Sequence, residues 1–304
     1  MLALHNELCK ERTLATVHNI YTTLLVLTER QVFTTLDFLN DTTKVLAKLR
    51  EISGTDSTYK THISRIMAVL KGGETYDKYK AEFDNAKARY AAHIESHVKT
   101  EREEEKLVPW ERVMEVRTKL LKDTANEVYR DKSRLTRKQY EMFQIAMLVV
   151  LYTELPPRRN DYAIMNAVRK EADATDKAMN YYAFDTKKFI FNNYKTFEKY
   201  GVQTVEAPPM VADIVETVVG RRMFEKQCDC VPFLINQNGE RINANTGISR
   251  LMTKAFGTPM GCTAMRHIYL ANAFPDLLEE TEKRRKVAEG MAHSMAEQIR
   301  YIKR

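Results

Sequence analysis

Two arginines, a lysine, a histidine and a tyrosine, spread over four stretches of the chain, together supply what phosphoryl transfer to a protein nucleophile requires. The first stretch, "LYTELPPRRNDYAIM" (151–165), sets Arg158-Arg159-Asn160-Asp161 directly after Pro156-Pro157. Proline fixes its own φ and restricts the residue before it, so the guanidinium groups start from a stiffened backbone. A planar cation held that way suits a phosphate. The same residues also read as a charged surface loop, or as an Arg158–Asp161 ion pair with no chemistry of its own. The second stretch, "FIFNNYKTFEKYG", carries Lys195 at a strand end or hairpin turn. The third, "GTPMGCTAMRHIYLANAF", carries Arg266 and His267 at the start of a helix. The fourth, "MAHSMAEQIRYIKR", carries His293 and, eight residues on, Tyr301.

These stretches need a scaffold. Leu14, Val17, Ile20, Leu24 and Leu25 recur at helical spacing, and "LDFLNDTTKVLAKLREI" repeats the pattern, so 12–50 read as two helices. "SGTDST" is a turn with a cap at Asp56 or Ser57. "YKTHISRIMAVLK" is a third helix, stopped by Gly72-Gly73, and 75–100 make a fourth. "KTEREEEKLVPWE" is charged and nearly free of apolar residues, which marks a linker ending at Pro109. Helices are expected at 110–130 and 136–153. Residues 179–209 are aromatic and β-branched with turn residues between short runs, the pattern of a three-stranded meander. Helices return from 210 onward. The expected fold class is mainly α with a small antiparallel β-sheet, in a helical domain at 1–100, a linker at 101–110 and a second domain at 111–304.

Composition narrows the partners. Hydrophobic residues are 44% and charged residues 29% of the 304, which excludes a disordered chain. No apolar run reaches a membrane span, and the N-terminus lacks the pattern of a signal peptide. The four cysteines, Cys9, Cys228, Cys230 and Cys262, form no framework, and Cys228-Asp-Cys230 lacks a second pair at metal-ligand spacing. An intracellular, reducing compartment is expected, with no metal and no cofactor. The net charge of +7 and the pI near 9.0 suit a polyanionic partner.

In their order and spacing the four stretches resemble the tyrosine recombinases, or phage-type integrases. The "TELPPRRNDY" form is most similar to integrase-like proteins of large DNA viruses and their mobile elements. The resemblance covers roughly 111–304, and the N-terminal module is similar in size and order to the family's core-binding domain. The family's first motif, an arginine followed three residues on by an acid, falls on Arg158 and Asp161. Its lysine, on the hairpin between the second and third strands of a small sheet, falls on Lys195. Its His-x-x-Arg motif falls on Thr263-Ala-Met-Arg266, followed by His267, so a threonine stands where the family has a histidine. "AHS" supplies His293, and Tyr301 follows it at eight residues rather than about nine.

The resemblance implies roles. Tyr301 would attack a DNA phosphate and form a 3′-phosphotyrosine link. Arg158 and Arg266 would hold the non-bridging oxygens, Lys195 would protonate the leaving 5′ oxygen, and His293 would donate to the phosphate. Thr263, His267 and Asp161 would be auxiliary. Double-stranded DNA is the implied partner, with a homo-tetramer assembled on it, and neither a small-molecule substrate nor a membrane is involved. Only Ile302, Lys303 and Arg304 follow Tyr301, so the helix with which many relatives dock onto a neighbouring protomer is expected to be missing or replaced. Three other readings stand beside site-specific recombination: type IB topoisomerase or telomere-resolvase-like cleavage, a DNA-binding relic weakened by Thr263, and an unrelated helical scaffold.

Overall fold

A computed structural model describes residues 8–70, 72–130 and 136–291. The chain divides into two compact units, Met1–Lys99 and Thr100–Arg304. The first is helical: α1 (Leu14–Leu27), α2 (Thr42–Ile52), α3 (Asp56–Leu70) and α4 (Glu74–Ser96). Apolar residues at three- and four-residue spacing, such as Tyr59, Ile63 and Ile66 on α3, bury one stripe of each helix in a common core with Val17, Ile20, Leu24 and Leu49. The cap of α3 is Thr55 rather than Asp56 or Ser57, since its hydroxyl accepts from the Thr58 amide at 3.1 Å. Asp56 instead pairs with Arg50 and Arg89.

The second unit is also mainly helical and holds one sheet. Residues 101–110 carry more structure than a linker. Thr100 and Glu103 form a capping box that starts α5 (Glu101–Lys106), and Leu107, Val108 and Trp110 pack on the unit's core. Then come α6 (Trp110–Arg130) and α7 (Arg137–Glu154). α7 is capped by Thr136 with Gln139 and is buried continuously from Phe143 to Tyr152, as its unbroken apolar run requires.

The strands are β1 (Met165–Val168), β2 (Asn180–Ala183), β3 (Lys188–Phe191), β4 (Gln203–Glu206) and β5 (Cys230–Pro232), in the order β4-β3-β2-β1-β5. The meander expected over 179–209 is β2-β3-β4, antiparallel throughout. The sheet as a whole is mixed rather than antiparallel, because β1 runs parallel to β2 and β5 antiparallel to β1. A short connection cannot reverse a parallel partner, so the chain from β1 to β2 crosses over through a 3₁₀ turn at Glu171–Asp173. Alternation on β3 sends Phe189 and Phe191 into the main core against Tyr162, while Ile190 joins Val168 and Tyr181 on the other face.

After β4 the chain is not purely helical either. α8 (Pro209–Val215), a π-helical turn (Glu216–Gly220) and α9 (Arg221–Lys226) precede β5. A long turn-rich stretch leads to α10 (Gly247–Phe256), α11 (Cys262–Ala273) and α12 (Leu277–Gly290). No described helix is long and apolar enough to cross a membrane.

Candidate active site

Arg158 owes its position to the way α7 ends. The residue before a proline is pushed out of the helical region, and Leu155 is already extended at φ −121° and ψ 151°. Arg117 of α6 pairs with Glu154 and pins the last turn. Beyond the two prolines, Arg158 Nε donates to Asp161 Oδ2 at 2.8 Å and Nη1 donates to Gln203 Oε1 at 2.9 Å. The guanidinium carbon stands 3.6 Å from the centre of the Phe191 ring and 5.0 Å from that of Tyr194. A carboxylate, an amide and two aromatic faces thus fix the plane of the cation. Among the described residues Nη2 makes no hydrogen bond, so one edge of the fork remains able to donate.

Lys195 lies on the connection between β3 and β4, the second and third strands of the meander, and is exposed. Its neighbour Tyr194 faces Arg158 and donates to the main-chain oxygen of Gly201 at 2.7 Å, which closes the connection into a loop. The lysine loop and the first arginine therefore meet at Tyr194.

The start of α11 is stitched to the same loop from the other side. Tyr152 Oη donates to the main-chain oxygen of Arg159 at 2.9 Å and lies 3.1 Å from Cys262 Sγ. Cys262 Sγ donates to Asn160 Oδ1 at 3.0 Å, and Asn160 Nδ2 donates to the main-chain oxygen of Asn245 at 3.2 Å. A Cβ at Gly261 would come to 3.0 Å from Ser249 Oγ, so any larger residue there requires that side chain to move. α11 buries Cys262, Met265 and Ile268 and meets α6 through Trp110 and Tyr269, whose ring centres are 6.0 Å apart. That leaves Thr263, Arg266 and His267, at i, i+3 and i+4, together on the neighbouring face. Arg266 is half-buried and makes no hydrogen bond or ion pair among the described residues, while Thr263 and His267 are exposed. Thr263, His267, Arg159, Asn160 and Lys106 line one open cleft of about 570 Å³.

His293 and Tyr301 lie outside the described residues. Of the remaining residues expected in the site, Arg158 and Asp161 are in direct contact, Lys195 is joined to them through Tyr194, and the helix carrying Thr263, Arg266 and His267 is joined to them through Cys262. Residues that the sequence reading passed over are Gln203, Tyr194, Tyr152 and Cys262. Cys228 and Cys230 belong to no group of three or more potential metal ligands among the described residues.

Burial pushes the Cys262 thiol up from its ordinary value near 9.0, against the opposing pull of the Tyr152 hydrogen bond and the Arg266 charge. The folded chain therefore keeps this proton after the unfolded chain has lost it. Stability from this group is complete below about pH 9 and is lost as pH rises beyond it. Tyr152, raised by burial, acts with the same sign at higher pH. A melting temperature followed from neutral to alkaline pH should start to fall near pH 9, and in Cys262→Ser that first part of the fall should shrink, leaving the share of Cys230, which burial also raises. An unchanged profile in the variant would remove Cys262 as the cause.

No family model, no curated protein and no solved structure matches this chain.

Proposed function

We propose that the protein is a site-specific DNA strand-exchange enzyme of the tyrosine-recombinase kind, with 1–99 as its helical DNA-binding unit and the second unit as its catalytic domain. The observation that carries this reading is the setting of Arg158. One short loop holds a fixed, partly free guanidinium, and the loop is tied on one side to the lysine-bearing connection and on the other to the helix that presents Arg266. Two forks and a lysine brought to one phosphate would suit the charge that develops on phosphorus in transfer to a protein nucleophile.

In this mechanism Tyr301 Oη forms a bond to phosphorus, the P–O5′ bond breaks, and a 3′-phosphotyrosine link keeps the energy of the phosphodiester. Arg158 and Arg266 stabilise the non-bridging oxygens, His293 donates to one of them, and Lys195 protonates the leaving O5′. The link is resealed by a second 5′-hydroxyl, so the sequence of steps needs no nucleotide. Thr263 can donate or accept a hydrogen bond but cannot act as a base near neutral pH. His267, one turn on along the same face of α11 and lining the same cleft, carries a side chain of a type that can.

The direct test is to incubate the protein with nicked duplexes bearing the ends of its own genetic element and to look for a protein–DNA adduct that survives denaturant. An adduct on those ends supports the reading, and its absence on every duplex, with binding intact, leaves a DNA-binding protein without the chemistry. Binding itself should be steeply salt-dependent. If six phosphates are neutralised by Lys and Arg, affinity should fall about 10³-fold between roughly 50 and 200 mM salt. Affinity that is flat over that range would exclude a phosphate-tracking interface.

A further inference from the structure

Asn180 opens β2 in the stretch "MNYYAF", has no exposed surface, and yet has little to gain from a strand. It is a polar side chain at a position where the rest of the strand is apolar and buried. Its amide is used to capacity. Nδ2 donates to the main-chain oxygen of Asp161 at 2.9 Å and to that of Asn193 at 2.9 Å. Oδ1 accepts from the amides of Asn192 at 3.0 Å and Asn193 at 2.8 Å. One bond therefore reaches the residue whose carboxylate holds Arg158, and three reach the two residues that lead into Tyr194 and Lys195. Asn192 and Asn193 in turn donate back to the main chain of Met179 and Ala178, the two residues that lead into β2.

We infer that Asn180 is a positioning residue that sets the register of the Lys195 loop against the Arg158 loop, so that the lysine reaches the leaving oxygen while the arginine holds the same phosphate. This inference rests on the recombinase reading. No other described side chain hydrogen-bonds to both loops. Four well-formed bonds from one buried side chain to the main chain of both loops hold the pair in one arrangement. Removing them frees the lysine loop to shift, and a shift of the order of 1 Å at a reacting group costs about 10²-fold in rate.

The step that Asn180 would govern is a proton transfer. As Tyr301 Oη bonds to phosphorus and its proton passes to solvent, the P–O5′ bond breaks and O5′ takes a proton from the Lys195 ammonium, leaving the neutral amine. If the bridging O5′ is replaced by sulfur, the leaving group departs as a thiolate and needs no proton. A misplaced lysine then no longer matters, whereas a damaged fold or a misplaced arginine still does.

The test uses the full-length protein and two DNA duplexes that differ only in oxygen or sulfur at the 5′ bridging position. Asn180→Ala should bind both duplexes like wild type, cleave the oxygen duplex about 100-fold more slowly, and cleave the sulfur duplex within a few-fold of wild type. Asn180→Asp keeps the shape and the two acceptor contacts but loses both donations, and it serves where the alanine variant does not fold. Its oxygen-duplex cleavage, taken relative to wild type at each pH, should rise as pH falls, because a protonated carboxyl regains one donor. A deficit of equal size on both duplexes would overturn the positioning role while leaving the recombinase reading intact. Wild-type protein that cleaves neither duplex would overturn both.

Discussion

Tyr301→Phe should bind duplex DNA with unchanged affinity and form no covalent adduct at all. With Tyr301 as the proposed nucleophile, the change removes the attacking oxygen and keeps the ring, so it should end the chemistry without removing a DNA contact of the described residues. A phenol with an ordinary pKa near 10 is a poor nucleophile at neutral pH, so its activation matters as much as its presence. Thr263, at the position where the resemblance would call for a histidine, is exposed on the cleft beside His267. A larger side chain there starts from solvent rather than from the core. Thr263→His should therefore hold or raise the rate of adduct formation, and general acid–base help of about 10²–10⁴-fold is the scale of a fully restored role. Both variants are read in one single-turnover assay on a nicked duplex. An adduct formed by Tyr301→Phe would move the nucleophile to another of the 15 tyrosines. An adduct formed by Thr263→His and never by wild type would make the natural chain a DNA-binding relic.

The long helices of both units were legible because each is long enough to show its period, whereas the six residues of α5 (Glu101–Lys106) are too few and too charged to show one. α3 announces itself through Tyr59, Ile63 and Ile66, and α7 through an apolar run bounded by Thr136 and Pro156. β1 and β5 were not legible for a physical reason. Strands of four and three residues have no room to show alternation, and β1 is buried enough to read as a continuation of the apolar segment before it. What makes them strands is pairing, and the β1–β5 partners, such as Ala167 and Val231, are far apart in sequence. Tertiary pairing of that range leaves no local trace, so the mixed character of the sheet could not be read in advance.

The site divides along the same line. Arg158 and Asp161 are three residues apart, and a motif captures such a contact. Gln203 meets Arg158 across 45 residues, and Cys262 meets Asn160 across 102. A glutamine at a strand start and a lone cysteine at a helix start carry no chemical signature of their own. Asn180 did leave one, as an amide at the head of an otherwise apolar strand, where a buried polar group must have partners. Its partners could have been sought among the loops that flank the meander, though not named.

The two arginines should fail differently when changed, and the difference tests whether they share a phosphate. Arg266 has no hydrogen-bond or ion-pair partner among the described residues, so Arg266→Lys should leave the melting temperature nearly unchanged. It replaces a two-pronged donor with a single ammonium, and adduct formation should fall about 10²–10³-fold, the scale of one lost transition-state donor. Arg158 is bound into the fold by Asp161, Gln203 and the Phe191 ring. A lysine there cannot hold the carboxylate, reach the amide and face the phosphate at once. Arg158→Lys should therefore lower both stability and cleavage, by about the same kinetic factor as Arg266→Lys, while Gln203→Ala should cost less in rate because the Asp161 pair still fixes the plane. In neither arginine variant should duplex affinity change by more than a few-fold if, as proposed, the protein contacts many phosphates. Arg158→Lys with full cleavage and a lowered melting temperature would make Arg158 the structural partner of Asp161 and nothing more. Loss of cleavage in Arg158→Lys with Arg266→Lys unaffected would take α11 out of the site.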